Sequence, residues 1–104
     1  MKNEELGWGK AAVFICNKCG KSITGASSDL AEDLKKEFKN EMKDLGLAKD
    51  IRVMTSGCLN ICIKEMQAVA IFPVNPDVPA SVKVFSPLKD KEAFRKELLK
   101  LKDL

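Results

Sequence analysis

The chain has 104 residues, of which 45% are hydrophobic and 32% charged, with a net charge of +3. One domain of this size buries a usable core unaided, and so weak a charge with only six aromatic residues excludes a nucleic-acid-binding surface. No apolar run approaches the ~18 residues that span a bilayer, and Met1-Lys2-Asn3-Glu4-Glu5 leads into nothing that resembles a secretory signal.

Residues 1–10 read as a polar N-terminal tail, and residues 11–104 as the folded domain. Ala11-Ala12-Val13-Phe14-Ile15 is apolar without interruption, the pattern of a strand covered on both faces. Asp29 offers an N-cap with Glu32 three residues on, and Leu30, Leu34, Phe38, Met42 and Leu45 follow as one helical apolar stripe. Gly46 is a natural stop for that helix. In Ile51-Arg52-Val53-Met54-Thr55 the unambiguous apolar positions alternate, which suits a strand less covered on one side. Ala68-Val69-Ala70-Ile71-Phe72 is a second fully apolar strand. Pro73 to Ala80 holds three prolines and an Asn-Pro-Asp step, hence a loop. Val82-Lys83-Val84-Phe85 suits a sheet edge, and Ser86-Pro87 reads as the cap and first turn of a last helix with Phe94, Leu98 and Leu101 buried.

The order β-α-β-β-β-α, with the two fully apolar strands central, predicts an α/β fold with a four-stranded mixed sheet of order 2-1-3-4. Strands 1 and 2 run parallel across the crossover, and strands 3 and 4 reverse in turn. Central strands that are apolar on both sides predict a helix on each face of the sheet, a small thioredoxin-like sandwich.

Four cysteines stand in two tight pairs, Cys16-Asn17-Lys18-Cys19 and Cys58-Leu59-Asn60-Ile61-Cys62, and there is no histidine. In a reducing, cytoplasmic compartment such pairs hold metal or carry redox chemistry more often than they serve as staples. The first pair leaves the end of strand 1 and the second precedes strand 3, so the predicted topology gathers both at one end of the sheet. An all-sulfur site of this kind suits an iron–sulfur cluster, a tetrathiolate zinc, or a dithiol redox pair formed by Cys16 and Cys19. Gly20 and Gly57 beside the pairs would let backbone approach a bound group closely. A three-residue gap in the second pair is less usual for a zinc knuckle. A dithiol reading leaves Cys58 and Cys62 without a task.

Val13-Phe14-Ile15-Cys16-Asn17, Ser56-Gly57-Cys58-Leu59-Asn60-Ile61-Cys62 and Ser86-Pro87-Leu88-Lys89-Asp90 together resemble the thioredoxin-like [2Fe-2S] ferredoxins, relatives of the peripheral cluster-bearing subunit of NADH dehydrogenase. The resemblance implies an electron carrier, not an enzyme, with Cys16, Cys19, Cys58 and Cys62 as ligands of one [2Fe-2S] cluster. It also implies a redox partner protein and, in many members, homodimerisation. The gap in the first pair is shorter than the family's, so a zinc-stabilised structural or interaction domain stays open as the alternative.

Lys18, Lys21 and Lys64 lie near the proposed site and suit an acidic partner, although solvated lysines are the ordinary expectation. Met54 and Met66 are expected to fill core or loop space. The last helix interleaves Lys89, Lys91, Arg95, Lys96, Lys100 and Lys102 with Asp90, Glu92, Glu97 and Asp103, the pattern of a solvent-facing surface.

Overall fold

The computed structural model describes residues 1–61 and 63–104. Strand β1 (Ala11–Cys16) is followed by helix α1 (Leu30–Asp44), β2 (Ile51–Ser56), β3 (Gln67–Pro73), β4 (Ser81–Phe85) and α2 (Lys91–Lys100). The sheet order is β2-β1-β3-β4, with β1 parallel to β2 and antiparallel to β3, and β4 antiparallel to β3. Both the order and the directions agree with the expectation from the sequence. No helix among the described residues is long and apolar enough to cross a membrane.

The helices do not take opposite faces. Ala11, Val13 and Ile15 of β1 share one buried cluster with Ile51 and Val53 of β2 and Val69 and Ile71 of β3. The same cluster takes Leu34, Phe38 and Met42 from α1 and Phe94 and Leu98 from α2. Both helices therefore lie side by side on the face formed by the odd-numbered residues of these strands. Phe38 meets Phe94 edge-on at 5.5 Å between centroids, and Phe94 stacks on Phe85 at 4.4 Å. Ion pairs from Lys91 to Glu37 and from Arg95 to Glu41 run between the helices. Such surface pairs contribute little beside the buried rings.

Among the described residues no α-helix covers the other face. Ala12, Phe14, Ala68, Ala70, Phe72, Val82 and Val84 make it apolar by strand alternation and register. At one end it is roofed by Ile23, Leu59 and Ile61 from the cysteine loops. At the other end Phe14 and Phe72 pack edge-to-face, with Phe72 still 48% exposed and Val82 46%.

Three local expectations also change. Leu45 is not part of the α1 stripe but lies past its end, 51% exposed, and Gly46 takes the left-handed conformation that closes the helix. Asp29 sits at the N-cap position without a capping side-chain bond; its own N–H is bonded to Ser27 Oγ. Ser86-Pro87 opens a separate turn, in which the Ser86 carbonyl accepts N–H bonds from Lys89 and Asp90. Helix α2 starts afresh after Asp90, four residues later than the proline suggests.

Candidate functional site

The parallel pairing of β1 with β2 sets Cys16 directly beside Ser56, and Asn17 N–H continues the ladder to the Ser56 carbonyl at 2.9 Å. The two cysteine loops thus leave neighbouring strand ends side by side. One runs from Cys16 into a 3₁₀ turn at Cys19–Ser22, and the other runs from Ser56 through Cys58 to β3. Gly20 sits tightly in the first loop: a Cβ there would stand 3.1 Å from the Ser27 carbonyl oxygen, so a larger residue would require the Ser27 backbone to shift. Gly57 faces open space, so its lack of a side chain relieves no close approach among the residues described.

The β1–β3 ladder ends at Ile15 and Val69, and beyond it side chains replace backbone partners. Gln67, fully buried, donates from Nε2 to the carbonyls of Cys16 at 2.8 Å and Ala68 at 2.9 Å. Two carbonyl acceptors fix the amide orientation, since the flipped form would set oxygen against oxygen. The Ala68 N–H donates to Cys19 Sγ at 3.4 Å. Both cysteines of the first pair are buried, Cys16 to 1% exposure, in an apolar cluster with Ile23 and Ala68.

Cys58 Sγ accepts the N–H of Asn60, two residues on, at 3.3 Å, as Cys19 Sγ accepts that of Ala68. The N–H groups of Lys18 and, from the second loop, Leu59 face Cys16. Burial pushes the Cys16 thiol toward a higher pKa. The N–H groups of Lys18 and Leu59, with the Cys19 side chain and backbone, outweigh it and leave the pKa below its usual value. Leu59 belongs to the second loop and packs with Ile61 against the cluster that holds Cys16 and Cys19, so the two loops meet there.

Cys58 is exposed, and Cys62 lies outside the described residues. Cys16 and Cys19 are brought into contact, and Cys58 is held on the adjoining loop. Among the described residues no three Cys, Asp or Glu side chains gather closely enough to hold a metal ion.

A second set of contacts ties the loops together outside the sulfurs. The Glu65 carboxylate accepts from Thr24 N–H at 2.8 Å and from Thr24 Oγ1 at 2.7 Å, and Glu65 N–H donates to the Ser22 carbonyl at 3.1 Å. The Thr24 hydroxyl and then its N–H hold the Glu65 carboxyl below its usual pKa. Glu65 has φ +66°, a conformation that costs a non-glycine residue about 1–2 kcal/mol. Asn60 is also left-handed, at φ +61°, but asparagine tolerates this region. Neither Glu65 nor Gln67 stands out in the sequence as a site residue. The only signal is that Gln67 is the polar head of an otherwise apolar strand.

Lys18, Lys21 and Lys64 are exposed around this end of the sheet. Within residues 16–28 and 56–66 the only acid is Glu65, whose charge is already engaged by Thr24. No family model, no characterised protein and no solved structure matches this chain.

Proposed function

We propose that the protein is a small one-electron carrier of the thioredoxin-like ferredoxin type, holding one [2Fe-2S] cluster with Cys16, Cys19, Cys58 and Cys62. The observation that carries this reading is that backbone N–H groups bond sulfur in both cysteine segments, Ala68 to Cys19 and Asn60 to Cys58. Thiolates that ligate iron are stabilised by such N–H donors, which offset sulfur charge without a nearby cation. The donor set fits: it is all sulfur, it comes as two pairs, and the buried pair lies against apolar side chains. When bound, the cluster supplies the electron chemistry. The chain's own residues hold the thiolates, exclude water from Cys16 and Cys19, and leave the Cys58 loop at the surface, where a partner can approach.

Burial argues against a catalytic dithiol. An attacking thiolate must reach a protein disulfide, and Cys16 at 1% exposure has no such access. A tetrathiolate zinc is the second reading, because the same N–H-to-sulfur bonds suit a zinc site. The exposed Lys18, Lys21 and Lys64 around the site favour an acidic redox partner.

Anaerobic reconstitution with iron and sulfide tests the proposal. The expected product is red-brown, carries about two irons and two sulfides per chain, and loses its visible absorption to dithionite. A colourless protein that takes up a single zinc, and no iron with sulfide, would replace the ferredoxin reading with the structural-zinc one. The Cys16→Ser and Cys58→Ser variants should each lose stable cluster binding, since each removes a thiolate from a different pair.

A further inference from the structure

Glu65 adopts a left-handed backbone without the compensations that glycine or asparagine would bring. The contacts around it account for the choice. Its carboxylate takes both donors of Thr24, its N–H reaches the Ser22 carbonyl, and Ser22 Oγ donates in turn to the Cys19 carbonyl at 2.9 Å. Ordinary φ at residue 65 would turn the chain away from Ser22 and break this set. The bonds therefore join the segment just after the second cysteine pair to the segment just after the first, and pass from there to Cys19 itself.

We infer that Glu65 is a positioning residue, a clamp that holds the second cysteine loop against the first and so sets the separation of the two cysteine pairs. It touches no cysteine sulfur; it acts through Thr24 and Ser22 on where Cys19 stands relative to Cys58. Its consequence for a bound cluster rests on the ferredoxin reading, whereas the clamp itself does not. A surface hydrogen bond would affect stability alone. A clamp alters the site's spectroscopic signature and the access of reagents to the buried thiols.

The test uses the full chain with Glu65→Ala, Glu65→Gln, Thr24→Val and the Glu65→Ala/Thr24→Val double variant. In metal-free, reduced protein, site-resolved alkylation of Cys16 and Cys19 by iodoacetamide should be about fivefold faster with Glu65→Ala, the scale of one ordinary hydrogen bond lost at an exposed site. Thr24→Val should give part of that increase, and the double variant no more than Glu65→Ala, because the two substitutions remove the same interaction. Glu65→Gln retains an amide that can still bond the Thr24 hydroxyl and should fall between. In reconstituted protein, Glu65→Ala should shift the electron paramagnetic resonance signal of the reduced cluster and speed its loss to a chelator. Alkylation at the unsubstituted rate in Glu65→Ala would overturn the clamp, as would full additivity of the two substitutions. Should the unsubstituted protein take up no cluster, the ferredoxin reading falls, and the alkylation rates alone decide the clamp.

Discussion

Gln67→Glu should cost about 3–5 kcal/mol of folding stability at neutral pH, although it changes a single terminal atom. The side chain is fully buried, and its Nε2 serves two carbonyl oxygens, of Cys16 and of Ala68. Oε1 has no protein donor. A carboxylate would retain that orphaned oxygen and set a second one against two carbonyls, with no cation among its bonded partners. Burial raises the folded pKa of such a carboxyl above its unfolded value of about 4.3. The folded state then binds more protons than the unfolded state, so the penalty is absent below that unfolded value. It grows by about 1.4 kcal/mol per unit as pH rises, until the folded pKa is passed. Urea unfolding of variant and parent at pH 4 and pH 7 measures this. The gap between the two proteins should widen at the higher pH, and an equal gap at both would refute a charge penalty. Gln67→Leu, which removes both donors but also the orphaned oxygen, should cost about 1–3 kcal/mol with no such pH dependence.

That prediction concerns the part of the molecule least legible in the sequence. The uninterrupted apolar runs of β1 and β3 marked them as central, and strand order and direction followed from their connections. The same runs misled about the helices. An apolar run states that both sides of a strand avoid water, but not what covers them. Here one side lies under α1 and α2 together. The other is shielded by Ile23, Leu59 and Ile61 at the cysteine end, and beyond them Phe14 and Phe72 are left to cover the small residues Ala12 and Ala70. Loops, not a helix, supplied the second cover.

The cysteine loops were legible for a related reason. The two cysteine segments flank apolar strands, so topology alone brings their loops to one end of the sheet, and the packing of Leu59 and Ile61 against Cys16 and Cys19 realises that contact among the described residues. What topology does not reveal is how the loops are held. Gln67, Glu65 and Thr24 act through geometry that no residue spacing encodes: a side chain extending a finished ladder, and a carboxylate made useful by an uncommon φ. Ser86-Pro87 carries the complementary lesson. The pair reads as the cap and opening of the last helix, but its turn at Ser86 is followed by a separate start at Asp90, because a proline signals a turn without giving its length.

Because both helices share one face, their common contact becomes the place where the fold is most sensitive. Phe94→Ala should destabilise the protein by about 3–5 kcal/mol, a large part of the 5–15 kcal/mol that ordinary domains possess. Phe94 is buried between Phe38 of α1 and Phe85 of β4, so one truncation removes an edge-on and a stacked ring contact together with the transfer energy of the ring. With helices on opposite faces, the same residue would touch only the sheet, and α1 would not feel its loss. The shared-face arrangement predicts coupling instead. In a double-mutant cycle, Phe38→Ala and Phe94→Ala should interact by about 0.5–1.5 kcal/mol, and the pair should cost less than the sum of the single variants. Phe38→Ala with Val82→Ala, which lies on the helix-free face, should add within about 0.5 kcal/mol. Chemical denaturation of the three single variants, the two double variants and the parent provides the free energies. Strict additivity of the Phe38 and Phe94 losses would contradict the packing of both helices on one side of the sheet, on which the exposure of the opposite face depends.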